Sequence, residues 1–129
     1  MSSLRVVSAE ALREKCLAMP GAVEEFPFGP APSVFKVGGK IFAISDLGSR
    51  PLRVSVKCEP DLAVQLRATY PAVAPGYHLN KRHWNTITID GSLSDTTVFD
   101  MIEDSYDLVL AGLPKSARKG LGLHQGSET

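Results

Sequence analysis

Net charge is missing from this chain: its 129 residues hold fourteen Lys and Arg against fourteen Asp and Glu. No global field draws it to a polyanion or a membrane, so a charged partner has to be read from how the charges are distributed. Cysteine is scarce. Cys16 and Cys58 alone make neither a disulfide framework nor a zinc ribbon, and neither lies in a CxxC, so two thiols in a reducing compartment are expected. No apolar run approaches the ~18 residues of a membrane span. The opening "MSSLRVVSAEALREKCLAMPG" has no signal-peptide core, and a cytoplasmic protein is expected. There is no GxGxxG, P-loop or GxSxG. Cys58 with His78 and His83 has no standard ligand spacing and no fourth ligand, so neither metal nor cofactor is expected. A Cys58–His83 pair would lack an orienting third group, and Glu24-Glu25 are adjacent carboxylates in a loop. The expectation is a protein that is not an enzyme.

What is present is a clear alternation of elements. Ser8 suits a helix N-cap, with Val7 and Leu12 as a hydrophobic staple, and Leu12, Cys16 and Met19 as the buried stripe before Pro20-Gly21. "FPFGPAPS" reads as a rigid connector. "VFKVGGKIFAI" predicts a hairpin, Val34–Val37 with Lys40–Ser45, because a two-residue turn needs positive φ at both central positions and glycine supplies it. "LRVSVK" alternates: Leu52, Val54 and Val56 point one way, Arg53, Ser55 and Lys57 the other. Pro60 opens a second helix with Leu62, Leu66 and Tyr70 on its apolar side, and "PAVAPG" follows as a second rigid loop. "WNTITID" alternates again, with Ile87 and Ile89 inward and Trp84, Thr86 and Thr88 outward. Ser94 caps the last helix, stapled by Leu93 and Val98, with Val98, Met101, Ile102, Leu108 and Val109 inward. Short strands joined by tight turns pair antiparallel. Helices on one face of such a sheet make an α+β two-layer sandwich with the other face open. One domain is expected over residues 1–119, followed by a polar, glycine-rich 120–129 tail that frays.

The charges are separated beneath the neutral total. Residues 36–57 carry five bases and one acid, Asp46, whereas residues 95–107 carry five acids and no base. "GYHLNKRHWNT" (76–86) then gathers Tyr77, His78, Lys81, Arg82, His83, the single tryptophan Trp84 and Asn85. Cations beside exposed aromatics suit a phosphate backbone with something flat to stack on. In that reading Lys81 and Arg82, with Arg53 and Lys57 from the strand, meet phosphates. Trp84 and Tyr77 stack or pack on sugar, and His78, His83 and Asn85 hydrogen-bond. Lys36 or Lys40 joins them according to how the hairpin faces, which its mixed pattern leaves open. The same residues have structural uses: Trp84 capping the core edge, Tyr77 pinning a loop, Arg82 pairing with the acidic helix.

The pieces "CLAMPGAVEEFPFG", "VFKVGGKIFAI", "VSVKCEPDLAVQLRATYPAVAPGYHLNKRHWNTITIDGSL" and "SYDLVLAGLPK" together resemble the MmcQ/YjbR family of small bacterial proteins, over about Cys16 to Arg118. Leu79 stands where many relatives have methionine, a volume-conserving swap. The resemblance implies an antiparallel α-β(3)-α-β(2)-α sandwich and a DNA-binding role through a double-wing arrangement of hairpins. It also implies likeness to chaperone-like domains that bind proteins. DNA is therefore the expected partner. The alternative is a protein-interaction module or homodimer contact on the same open face. A third reading is a small-ligand pocket between "FPFGP" and the His-containing loop.

Overall fold

The protein is described by a computed structural model, which covers residues 7–120; of the expected 120–129 tail only Gly120, the last residue of the C-terminal helix, is among them. The chain runs α1 (Ala9–Ala18), β1 (Val23–Glu25), β2 (Ser33–Val37), β3 (Lys40–Ser45), β4 (Leu52–Lys57), α2 (Pro60–Thr69), β5 (Val73–Pro75), β6 (Trp84–Ile89), α3 (Asp95–Ala111) and α4 (Lys115–Gly120). The strands form one antiparallel sheet in the order β1-β2-β3-β4-β6-β5. The α+β sandwich is as expected, with one strand more before α2 than α-β(3)-α-β(2)-α allows. That strand, Val23–Glu25, pairs with β2 where no strand was expected. No helix among the described residues is long and apolar enough to cross a membrane.

Local signals act as physical chemistry requires. Ser8 Oγ accepts the Ala11 N–H at 3.0 Å and Ser94 Oγ the Thr97 N–H at 3.1 Å, and both staples are buried. Gly38 and Gly39 turn the β2–β3 hairpin at φ 58° and 81°. The "PAVAPG" loop is a correction: Val73–Pro75 pairs with β6 as an edge strand. Proline is tolerated there because the outer N–H of an edge strand needs no partner. Leu62 is a second correction. Ala63, not Leu62, is the buried residue of α2, since the Ala63 carbonyl approaches the Asn85 amide and a small side chain lets it.

The core lies between the helices and one face of the sheet. Val54, Val56, Ile87 and Ile89 meet Leu12 and Cys16 of α1 and Val98, Ile102 and Val109 of α3. Burial pushes the Cys16 thiol up to about 12 and raises that of Cys58, which makes both poor nucleophiles. α1 is tied to α3 by the Lys15–Glu103 ion pair, and the turn after α1 by the Tyr106 hydroxyl, which donates to the Pro20 carbonyl at 2.6 Å.

α1 is tied to the sheet by Arg13, whose guanidinium lies 2.8 Å from Glu24 Oε1. The Arg13 hydrogen bond holds the Glu24 carboxyl below its ordinary range. A carboxyl depressed by folding adds stability above its unfolded pKa and loses it as pH falls through the folded one. Glu24→Gln is therefore expected to destabilise at neutral pH and to differ less from the parent at about pH 3. Urea midpoints at the two pH values check this; an equal deficit at both would contradict it.

β3 carries a bulge. Phe35 pairs with Ala43 and Lys36 with Ile41, so Phe42 is the extra residue. Phe42 turns into the core beside Ala43 and packs edge-on against Tyr106, ring centroids 5.4 Å apart. β3 and β4 pair only through Ala43–Val56 and Ile44–Ser55. Beyond these pairs the ladder would continue from the Lys57 N–H to the Phe42 carbonyl. The Ser105 hydroxyl of α3 is inserted instead: it accepts from the Lys57 N–H at 2.8 Å and donates to the Phe42 carbonyl at 2.6 Å. The strands therefore splay, and the C-terminal half of α3 lies at the gap.

Candidate functional site

The β4–β6 register decides which side chains share the helix-free face. Arg53 pairs with Thr88, Ser55 with Thr86 and Lys57 with Trp84, while Leu52, Val54 and Val56 pair with Ile89, Ile87 and Asn85 on the core side. Arg53 is exposed, and Lys57 and Trp84 are half-buried. Ser55 and Thr86 are buried in mid-face and joined through their hydroxyls at 2.8 Å. The Thr86 hydroxyl also accepts the Tyr77 N–H at 3.0 Å, which seats the start of the 76–83 loop on this face. Tyr77 is 71% exposed and lies against His78, ring centroids 4.0 Å apart; His78 occupies the left-handed region at φ 58°, where histidine is tolerated.

Gly76 makes the loop's close approach possible. Its N–H donates to the Trp84 carbonyl at 2.8 Å, and a Cβ there would stand 2.7 Å from Trp84 Cβ. Gly76→Ala should push the loop away from β6 and cost about 1–3 kcal/mol, as overpacking does. Urea unfolding followed by Trp84 fluorescence would register both effects; an unchanged midpoint and spectrum would contradict the close contact.

The remaining expected site residues divide. Arg82 is exposed and enters no ion pair among the described residues, the acidic helix included. Lys81 is exposed, but its ammonium donates to the Gly76 carbonyl at 3.1 Å, so it also braces the loop. His83 is half-buried and its carbonyl accepts the Cys58 N–H at 2.7 Å. Asn85 does not belong to the surface. It is 1% exposed on the core side, accepts from Arg67 Nε at 2.7 Å and faces the Ala63 carbonyl. The alternation that turns Trp84 and Thr86 outward turns Asn85 inward. Among the described residues no three His, Cys, Asp or Glu side chains gather in a way that could hold a metal ion.

Two contributors, Arg67 and Ser105, are not among the residues expected from the sequence. Arg67 binds Asn85 and also donates to the Lys81 carbonyl, holding the loop from behind. Its signal was a cation on the Ala63–Leu66–Tyr70 side of α2, the side that packs. Ser105 was a hydroxyl within the buried Ile102–Val109 stripe. Lys36 and Lys40, whose facing the hairpin's mixed pattern leaves open, both line a cleft of about 550 Å³ with Gly39, Ile41, Lys57, Trp84, Leu108, Val109 and Gly112. This cleft is not the one expected between "FPFGP" and the His-containing loop.

Known proteins repeat this sequence and this fold. The YjbR family model matches residues 17–108. The protein YjbR of Escherichia coli strain K12 is 37% identical over 109 residues, 84% of this chain and 92% of that one. YbdF of Escherichia coli O157:H7 is 37% identical over 111 residues, 85% of this chain and 90% of that one. The crystal structure of Deinococcus radiodurans DR2400, a DUF419 domain, superposes with a TM-score of 0.84 at 40% identity, covering 92% of this chain and 90% of that one. A Pseudomonas syringae protein at 24% identity, TM-score 0.67, covering 78% of this chain and 97% of its own, shares the fold. Matched over most of its length in sequence and in backbone, the chain belongs to the YjbR family.

Proposed function

We propose that the helix-free side of the sheet binds a DNA strand without catalysis, in the cytoplasm. The observation behind this reading is the β4–β6 register, which sets Arg53 and Lys57 beside Thr88 and Trp84 on the face opposite the helix-packed core, with the C-terminal end of α3 reaching Lys57 and Trp84 only at the end of the sheet. Lys40, Arg53, Lys57 and Arg82 enter no ion pair among the described residues, whereas Lys36 is held by Glu25 at 2.9 Å. Cations of this kind release counterions from phosphate, and an indole or phenol face takes an unstacked base or a sugar. Asn85 has no part in it. Lys81 contributes mainly by bracing the loop that carries Tyr77 and His78.

Fluorescence anisotropy with labelled single-stranded and duplex oligonucleotides, at about 50 and about 200 mM salt, tests the proposal. Binding that weakens steeply with salt is expected. No binding at tens of micromolar protein in the lower salt would overturn it.

A second reading has one observation in its favour. Val23, Phe26 and Phe28 are exposed at and beside the edge strand β1, as apolar groups at a protein contact would be. A protein-interaction module using this region and the same open face would bind with little salt dependence. It would lose binding on Trp84→Ala more than on removal of the cations.

A further inference from the structure

The cleft at the end of the sheet has features that a strand-binding face does not require. β3 and β4 diverge beyond Ala43 and Val56, and Leu108, Val109 and Gly112 of α3 line the gap between them. The hairpin supplies Lys36, Gly39, Lys40 and Ile41, and β4 and β6 supply Lys57 and Trp84. At about 550 Å³ the space has the volume of a small-molecule site, although it is a half-open groove rather than an enclosed pocket.

Its lining is amphipathic in a particular way. Ile41, Leu108, Val109 and the indole of Trp84 offer apolar surface, three of the nine lining residues are lysines, and no acidic residue is among them. Lys36 is engaged by Glu25, which leaves Lys40 and Lys57 with no ion-pair partner among the described residues. The C-terminal carbonyls of α3 oppose an anion in principle. Here the Gly112 N–H bonds to the Leu108 and Val109 carbonyls at 3.2 and 3.1 Å, and the Leu113 N–H to the Leu110 carbonyl at 3.1 Å. Those carbonyls are thus partly satisfied, and the lysines set the sign of the local field.

We propose that this cleft binds a small flat anion, an aromatic ring bearing a single carboxylate or phosphate. The ring lies against Trp84 and Ile41, and the anionic group sits between Lys40 and Lys57. A mononucleotide and a free aryl carboxylate share that chemistry. The site shares Lys40, Lys57 and Trp84 with the strand-binding reading but needs neither Arg53 nor Arg82, since one ring and one charged group fill the cleft.

Trp84 is the only tryptophan, so its indole N–H signal in a proton–nitrogen NMR spectrum reports from the cleft wall without ambiguity. The full chain is titrated with deoxyadenosine monophosphate and, separately, with cinnamate; deoxyadenosine and cinnamyl alcohol are the uncharged controls. A saturable shift with a dissociation constant below about 1 mM is expected for at least one anion. Its uncharged control, and the same anion with Lys57→Gln, should bind about tenfold more weakly, roughly the loss of one charge-assisted contact. Response to the nucleotide alone assigns the phosphate source, and response to cinnamate alone the carboxylate source; either supports the site. No saturable shift with either anion at several times that concentration, equal binding of the uncharged control, or undiminished binding to Lys57→Gln would overturn it. Oligonucleotide binding without binding of either small anion sinks this inference and leaves the strand reading standing; the reverse result does the opposite.

Discussion

Ser105→Ala should be among the most damaging single substitutions of a small polar residue in this protein. The hydroxyl is completely buried and bridges two backbone groups that do not reach each other, the Lys57 N–H and the Phe42 carbonyl. Removing it strands a donor and an acceptor at the point where β3 and β4 part. Each unsatisfied buried group costs about 1–3 kcal/mol, so a loss of about 2–3 kcal/mol is expected, which lowers Tm by roughly 10 °C. Urea and thermal unfolding measure it directly. If Ser105 only filled space, alanine would cost less than about 0.5 kcal/mol and that assignment would be wrong.

Neutralising Arg53, Lys57 and Arg82 together (Arg53→Gln, Lys57→Gln, Arg82→Gln) should leave stability nearly unchanged and remove most of the strand affinity. The three side chains are exposed or half-exposed and form no ion pair among the described residues. Substitution at such positions shifts stability by no more than about 0.5 kcal/mol. Binding depends on them differently. If Lys40, Arg53, Lys57 and Arg82 each displace counterions from a single strand, log affinity falls with log salt at a slope of about −2.8. The triple variant retains one of the four contacts, and its slope should flatten to about −0.7. Affinity at low salt should fall by about tenfold or more. A triple variant that binds as tightly as the parent, with the same salt slope, would place the contact elsewhere.

The two alternating strands made the open face legible. "LRVSVK" and "WNTITI" each repeat every second residue, and pairing them in the observed register puts Lys57 opposite Trp84. The hairpin was less readable because Phe42 bulges. The extra residue breaks the alternation of β3, so Lys40 and Ile41 cannot be placed by counting from Ala43, and the hairpin as a whole shows only a mixed pattern. Val23–Glu25 and Val73–Pro75 are three-residue edge strands held by pairing with longer neighbours, so their own sequences carry little signal. The cleft was invisible for a different reason. It lies beside the point where one hydroxyl on α3 interrupts a ladder, 48 residues away from its partner Lys57. No local pattern encodes that contact. Asn85 shows the opposite failure: its inward orientation was written in the alternation, and its polar side chain argued for the surface only while its partner Arg67 was out of view.

Which surface a nucleic acid touches decides between the strand-binding and protein-contact readings. Mapping amide and indole NMR shifts of the full chain against a short single-stranded oligonucleotide in low salt tests this most directly. The perturbed signals are expected to cluster at Arg53, Lys57, Tyr77 and the Trp84 indole, with the outer face of α3 silent. Perturbations confined to the helices, or none at concentrations of oligonucleotide well above those of the protein, would contradict strand binding at this face.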